Sequence, residues 1–136
     1  MKKENIFNCY CSCFRVVFYL TVYFGIKNKK PVYVGITNNI PIRFYQHNYR
    51  WEKLYGEDVI RFNDLVQINP EPLTKNQASG VEQVIYERNR EREGFQNKIG
   101  SISRFNAIYA DAFSFGEAYL ETNYKYNDYK SKGLID

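Results

Sequence analysis

The sequence has few of the residues that would build a stapled or metal-clipped scaffold. Its three cysteines, Cys9, Cys11 and Cys13, alternate with Tyr10 and Ser12. Zinc ligands are usually separated by two or more residues, so this spacing makes a poor metal motif, and an odd number does not suggest a disulfide framework. On a strand the three thiols would share a face, and they read as free thiols in a reducing compartment. No apolar run is long enough for a bilayer: the uninterrupted stretch from Val16 to Phe24 is far short of the ~20 residues a span needs. Lys2 and Lys3 precede it as in a leader, but Glu4, Asn5, Asn8 and Arg15 interrupt it and no small-residue cleavage site follows. The expectation is a cytoplasmic chain with no ordinary export signal, no transmembrane helix and no membrane partner. There is also no repeat, low-complexity tract or internal linker, so 136 residues imply one domain.

Aromatic residues, in contrast, are abundant, with 13 Tyr and 10 Phe, and suit strands, stacking surfaces and phosphate contacts. The net charge of +4 is a mild attraction to polyanions. Lys27, Lys29, Lys30, Arg43, Arg50 and Lys53 face a single acid, Glu52, in one stretch. Charge alone favours a solvated surface. The functional alternative is a phosphate-facing patch, with Lys29, Lys30 and Arg50 as substrate contacts.

Hydropathy patterning predicts an α+β domain with its core at about residues 14–122, an N-terminal cysteine-containing extension over 1–13 and a polar, fraying tail over 123–136. Phe14–Ile26 and Val32–Thr37 read as a hairpin joined by a turn over Lys27–Pro31. Even positions Val16, Phe18, Leu20, Val22 and Phe24, then Val32, Val34 and Ile36, are apolar and should share the core face. That parity puts Tyr23 and Tyr33 together on the less apolar face. Asn38 or Asn39 caps a helix from about Ile40 to Leu54, with Ile40, Phe44, Trp51 and Leu54 inward and Gly56 closing it. Arg43, His47 (the single histidine) and Arg50 recur on a common side of it. Val59–Ile68 reads as a third strand. Thr74 and Gln77 form a capping box for a helix running to about Glu93, with Ala78, Val81, Val84 and Ile85 inward and Gly94 ending it. Phe95–Phe105 reads as a loop and Asn106–Thr122 as a third helix.

Taken singly, Tyr23, Tyr33, Arg43, His47, Glu82 and Asn97 have ordinary structural explanations. Together they carry a resemblance. The run V-Y-V-G-I-T-N-N-I-P-I-R-F-Y-Q-H, Val32–His47, closely resembles the second half of the GIY-YIG nuclease signature. T-V-Y, Thr21–Tyr23, stands ahead of Y-V-G, Tyr33–Gly35, in the place of the first triplet; Thr21 replaces the usual glycine. Arg43 matches the arginine of the following helix, His47 the nearby His or Tyr, Glu82 in G-V-E-Q the later glutamate, and Asn97 in Q-N-K-I-G-S-I-S the closing asparagine. The resemblance spans roughly Thr21–Tyr109, and the stretch before Thr21 has no counterpart.

The resemblance implies a small three-stranded antiparallel sheet flanked by helices, and a metal-dependent endonuclease acting on DNA, with RNA the alternative. Glu82 would bind one Mg2+ or Mn2+. Tyr23 would be general base towards the attacking water or orient it, with His47 as its helper. Arg43 would hold the scissile phosphate, Tyr33 would hydrogen-bond the water or phosphate, and Asn97 would order the site. V-E-Q, Q-N-K-I-G-S-I-S and N-A-I-Y look most like nuclease modules at the C-termini of bacterial polymorphic toxins, which implies an immunity or inhibitor protein as partner. A repair, restriction or phage-type nuclease, or a non-catalytic nucleic-acid-binding module on the same fold, are the other readings.

Overall fold

A computed structural model describes residues 19–136; Cys9, Cys11, Cys13, Val16 and Phe18 lie outside the described residues. The chain runs β1 (Tyr19–Lys27), β2 (Lys30–Thr37), α1 (Ile40–Tyr55), β3 (Asp64–Gln67), β4 (Leu73–Thr74), α2 (Lys75–Asn89), α3 (Tyr109–Glu121) and α4 (Tyr124–Ser131). The sheet order is β2-β1-β3, all antiparallel, and the two-residue β4 pairs with the start of β1. The expected small antiparallel sheet flanked by helices is therefore present, extended by one short strand.

The β1–β2 hairpin closes through Asn28 and Lys29, whose φ values of 54° and 68° bend the chain with the twist of the strands. Beyond Gly25 the register slips by one residue, leaving Val32 as the extra residue of a bulge. Val32 consequently departs from the even-numbered apolar face expected for it and packs with Tyr23, Phe62 and Leu65 on the other side. Val22, Phe24 and Val34 keep the expected face and are fully buried with Ala78, Val81, Val84 and Ile85 of α2. The α2–α3 crossing is close because Gly80 and Gly116 oppose it; a Cβ on Gly80 would collide with the carbonyl of Ala112.

The odd face is not the open face its composition suggests. α1, Phe62 and Leu65 cover it, and Tyr23 is fully buried there. Asn39 caps α1 by accepting from the Ile42 amide at 3.0 Å, and the Gly56 amide closes it on Glu52 at 2.8 Å. Ile40, Phe44 and Trp51 turn inward, whereas Leu54, also expected inward, sits in the last turn and is 71% exposed.

Four further expectations are corrected. The third strand is only Asp64–Gln67, because the Asn48 side chain takes up the backbone before it, accepting from the Arg61 and Phe62 amides at 2.8 and 3.0 Å and donating to the Phe62 carbonyl at 3.1 Å. α2 has the Thr74–Gln77 capping box but stops at Asn89, with Gly94 in the turn that follows, and α3 begins at Tyr109 rather than Asn106. The polar tail contains α4 and is fastened down. Asn123 caps that helix and donates to the Ile68 carbonyl at 3.0 Å. Tyr126 and Ile135 are buried, and Asn89 exchanges hydrogen bonds with the backbone of Asp136 at 2.8 and 3.1 Å. Among the described residues no helix is long and apolar enough to cross a membrane.

Candidate active site

Tyr23 stands at the middle of β1, directly across from Gly35 of β2. The missing side chain is what admits the phenol, since a Cβ at Gly35 would lie 2.6 Å from Tyr23 Cζ. The hydroxyl reaches across to α1. His47 Nε2 is 2.8 Å from Tyr23 Oη, and Arg43 Nε donates to the same oxygen at 3.4 Å. The four-residue spacing of Arg43 and His47 brings both to one side of α1. Their depths differ: His47 is only 4% exposed, while Arg43 is half-buried and its Nη1 donates to Gln46 at 3.3 Å. Tyr33, half-buried, completes the group, its ring centred 6.2 Å from that of Tyr23 and 5.2 Å from the imidazole, which it meets edge-on. Hairpin parity thus correctly pairs the two phenols.

Glu82 comes from α2 and is half-buried. It is close enough that its charge bears on both Tyr23 and Arg43. Burial raises its pKa, opposed by a hydrogen bond with Ser101 and by the charges of Lys75 and Arg43. Its sequence neighbour Gln83 fixes the adjoining loop by accepting from the Ser101 and Ile102 amides at 2.6 and 2.9 Å. Asn97 acts on the backbone: its amide oxygen accepts from the Val34 amide and its amide nitrogen donates to the Val34 carbonyl, both at 2.8 Å. It extends the edge of β2 as another strand would, at the residue between Tyr33 and Gly35, which is an ordering role.

Arg61 is a candidate-site residue that sequence reasoning missed. Its Nη1 is 3.0 Å from His47 Nδ1, and its Nε donates to Gln96 at 2.8 Å. The guanidinium also lies 4.8 Å from the ring centres of Tyr33 and Trp51 and 4.9 Å from that of Phe62. The only sequence signal was an arginine within an otherwise apolar stretch, Val59–Phe62. Ser101 and Lys75, beside Glu82, were also missed.

The electrostatics follow from this packing. Burial pushes His47 down to about 3, aided by the charges of Arg61, Arg43 and Arg50, so the imidazole is neutral at physiological pH. Burial likewise pushes the Tyr23 phenol up to about 12, against the hydrogen bond from Arg43. Among the described residues no three His, Cys, Asp or Glu side chains gather as a metal cage. Glu82 offers a single carboxylate. That donor set fits a hard cation that keeps most of its ligands as water and phosphate oxygens, and it does not fit zinc.

The expected substrate contacts divide. Arg50 is exposed on α1, near enough to His47 for its charge to be felt. Lys29 lies in the hairpin turn and Lys30 opens β2, and no described contact joins them to the Tyr23 cluster. Comparison of the chain with protein-family models, with curated proteins and with solved structures finds no match.

Proposed function

We propose that this protein is a metal-dependent phosphodiester hydrolase of the GIY-YIG type, acting on DNA or RNA. The observation that carries the reading is the convergence of the buried Tyr23 and His47 with the half-buried Tyr33 and Arg43 in one cluster, with the Glu82 carboxylate in electrostatic reach. Those residues come from four elements, β1, β2, α1 and α2, and are separated by up to 59 positions of chain, yet they are five of the six residues the resemblance named.

Phosphodiester hydrolysis needs a nucleophilic water, a group that holds the phosphate, and relief of the charge that builds on its oxygens. Arg43 supplies a guanidinium suited to phosphate oxygens and is only partly engaged by Gln46. Tyr23 and Tyr33 supply hydroxyls to orient the water. Glu82 would hold Mg2+ or Mn2+, which when bound neutralises charge developing on the phosphate. Asn97 pins the β2 backbone at Val34, beside Tyr33.

The test is cleavage of plasmid DNA and total RNA by the purified chain with Mg2+ or with EDTA, beside Glu82→Ala. Metal-dependent cutting lost in the variant is the expected result. Binding without cutting under any divalent metal would replace this reading with a non-catalytic nucleic-acid-binding module.

A further inference from the structure

Arg61 stands outside the set of groups assigned above, yet it touches the one histidine in the chain. Every polar hydrogen of a guanidinium is a donor and it has no acceptor. At 3.0 Å from Arg61 Nη1, His47 Nδ1 must therefore be the acceptor. A neutral imidazole that accepts at Nδ1 carries its proton on Nε2. The other neutral tautomer, and the imidazolium, would set N–H against N–H. His47 Nε2–H then donates to Tyr23 Oη at 2.8 Å, and Arg43 Nε–H donates to the same oxygen at 3.4 Å. With two donors on its oxygen, the phenol's own proton is directed away from His47.

We infer that Arg61 is a positioning residue that locks His47 as the Nε2–H tautomer, so that His47 feeds a hydrogen bond to Tyr23 and takes no proton from it. The help that His47 gives Tyr23 is then a donated hydrogen bond. The packing makes the lock stiff. Arg61 is clamped by Gln96 and by the faces of Tyr33, Trp51 and Phe62, while His47 is held edge-on to Tyr33 and Phe62. The charged and titratable groups around the imidazole are Tyr23, Tyr33, Arg43, Arg50 and Arg61, and none supplies a negative charge at neutral pH.

The catalytic half of this inference rests on the proposed hydrolysis; the tautomer half rests on geometry alone. Burial holds Tyr23 as a phenol at rest, and the two N–H donors offset part of that cost in the phenolate. The phenol first releases its proton to solvent, and the phenolate then takes a proton from the attacking water. The water O–H bond breaks, its oxygen bonds to phosphorus, the ester P–O bond breaks, and the departing oxygen takes a proton from solvent.

A single histidine makes the test clean. In protein labelled with 15N-histidine, the two ring nitrogens distinguish protonated from unprotonated positions directly. The wild type should show Nε2 protonated and Nδ1 unprotonated from pH 8 down to pH 5. Arg61→Lys retains a donor and should keep that signature. Arg61→Leu should give mixed tautomers or a ring that titrates above pH 5, with kcat lowered at least about tenfold and KM little changed. A wild-type imidazole protonated at Nδ1, or one that titrates near pH 6, overturns the inference whether or not the variants fold. So does an unchanged signature in folded Arg61→Leu. A wild type with the expected signature that cuts no nucleic acid would remove the hydrolase reading and leave the lock standing.

Discussion

The buried neutral imidazole has a measurable thermodynamic consequence. His47 has a folded pKa of about 3, against about 6.5 for an unfolded histidine. Between those values the unfolded chain binds a proton that the fold excludes, so stability falls as pH drops through this window and is flat above about pH 7. At pH 5 the unfolded histidine is almost wholly protonated and the folded one is not. The resulting loss relative to pH 7.5 is about 2 kcal/mol, and this figure holds for any folded pKa below about 4. Other groups titrate in the same range, so the assay is a difference: urea unfolding of wild type and His47→Gln at pH 7.5 and pH 5.0. The Gln amide can keep a hydrogen bond to Tyr23 but has no proton to gain. The wild type should lose about 2 kcal/mol more than the variant between the two pH values. Equal losses would mean that His47 is protonated in the fold, and would refute both the burial argument and the neutral, Nδ1-accepting imidazole.

Two further outcomes follow from the packing of the hairpin. Gly35→Ala should force the Tyr23 phenol out of its place, since Tyr23 is fully buried with no free space beside it; a cost of about 1–3 kcal/mol in thermal or chemical unfolding should accompany loss of most of the proposed nucleolytic activity. Asn97→Ala leaves the amide and carbonyl of Val34 without partners and should lower stability by about 1–3 kcal/mol, with amide hydrogen exchange speeding up at Val34 specifically.

Much of the fold was legible because local chemistry and tertiary packing agree. The Asn39 cap, the Thr74–Gln77 box and the α2 face of Ala78, Val81, Val84 and Ile85 are local signals that packing leaves intact. What was not legible depends on contacts distant in sequence. Val32 changes face because of a bulge that alternation cannot reveal. Residues 61–62 look like strand but have their backbone satisfied by Asn48, thirteen or fourteen positions away. The tail looks too polar to fold, yet its asparagine is a cap and its few apolar residues reach the core. In the site, the Tyr23–Tyr33 pairing followed from strand parity, and the helix spacing brought Arg43 and His47 together. Arg61 was hidden because its role comes from a loop that returns over α1, and a lone arginine carries no periodicity.

In the proposed hydrolysis the oxygen of Tyr23, held by His47 and Arg43, acts on the water that attacks the phosphodiester. Tyr23→Phe removes that oxygen and keeps the buried ring, so it tests the claim with least damage to the fold. Single-turnover cleavage by wild type and Tyr23→Phe should be measured beside equilibrium binding of the same nucleic acid. The account predicts a rate at least about a hundredfold lower in the variant with affinity largely retained. A variant that cuts at the wild-type rate would contradict it.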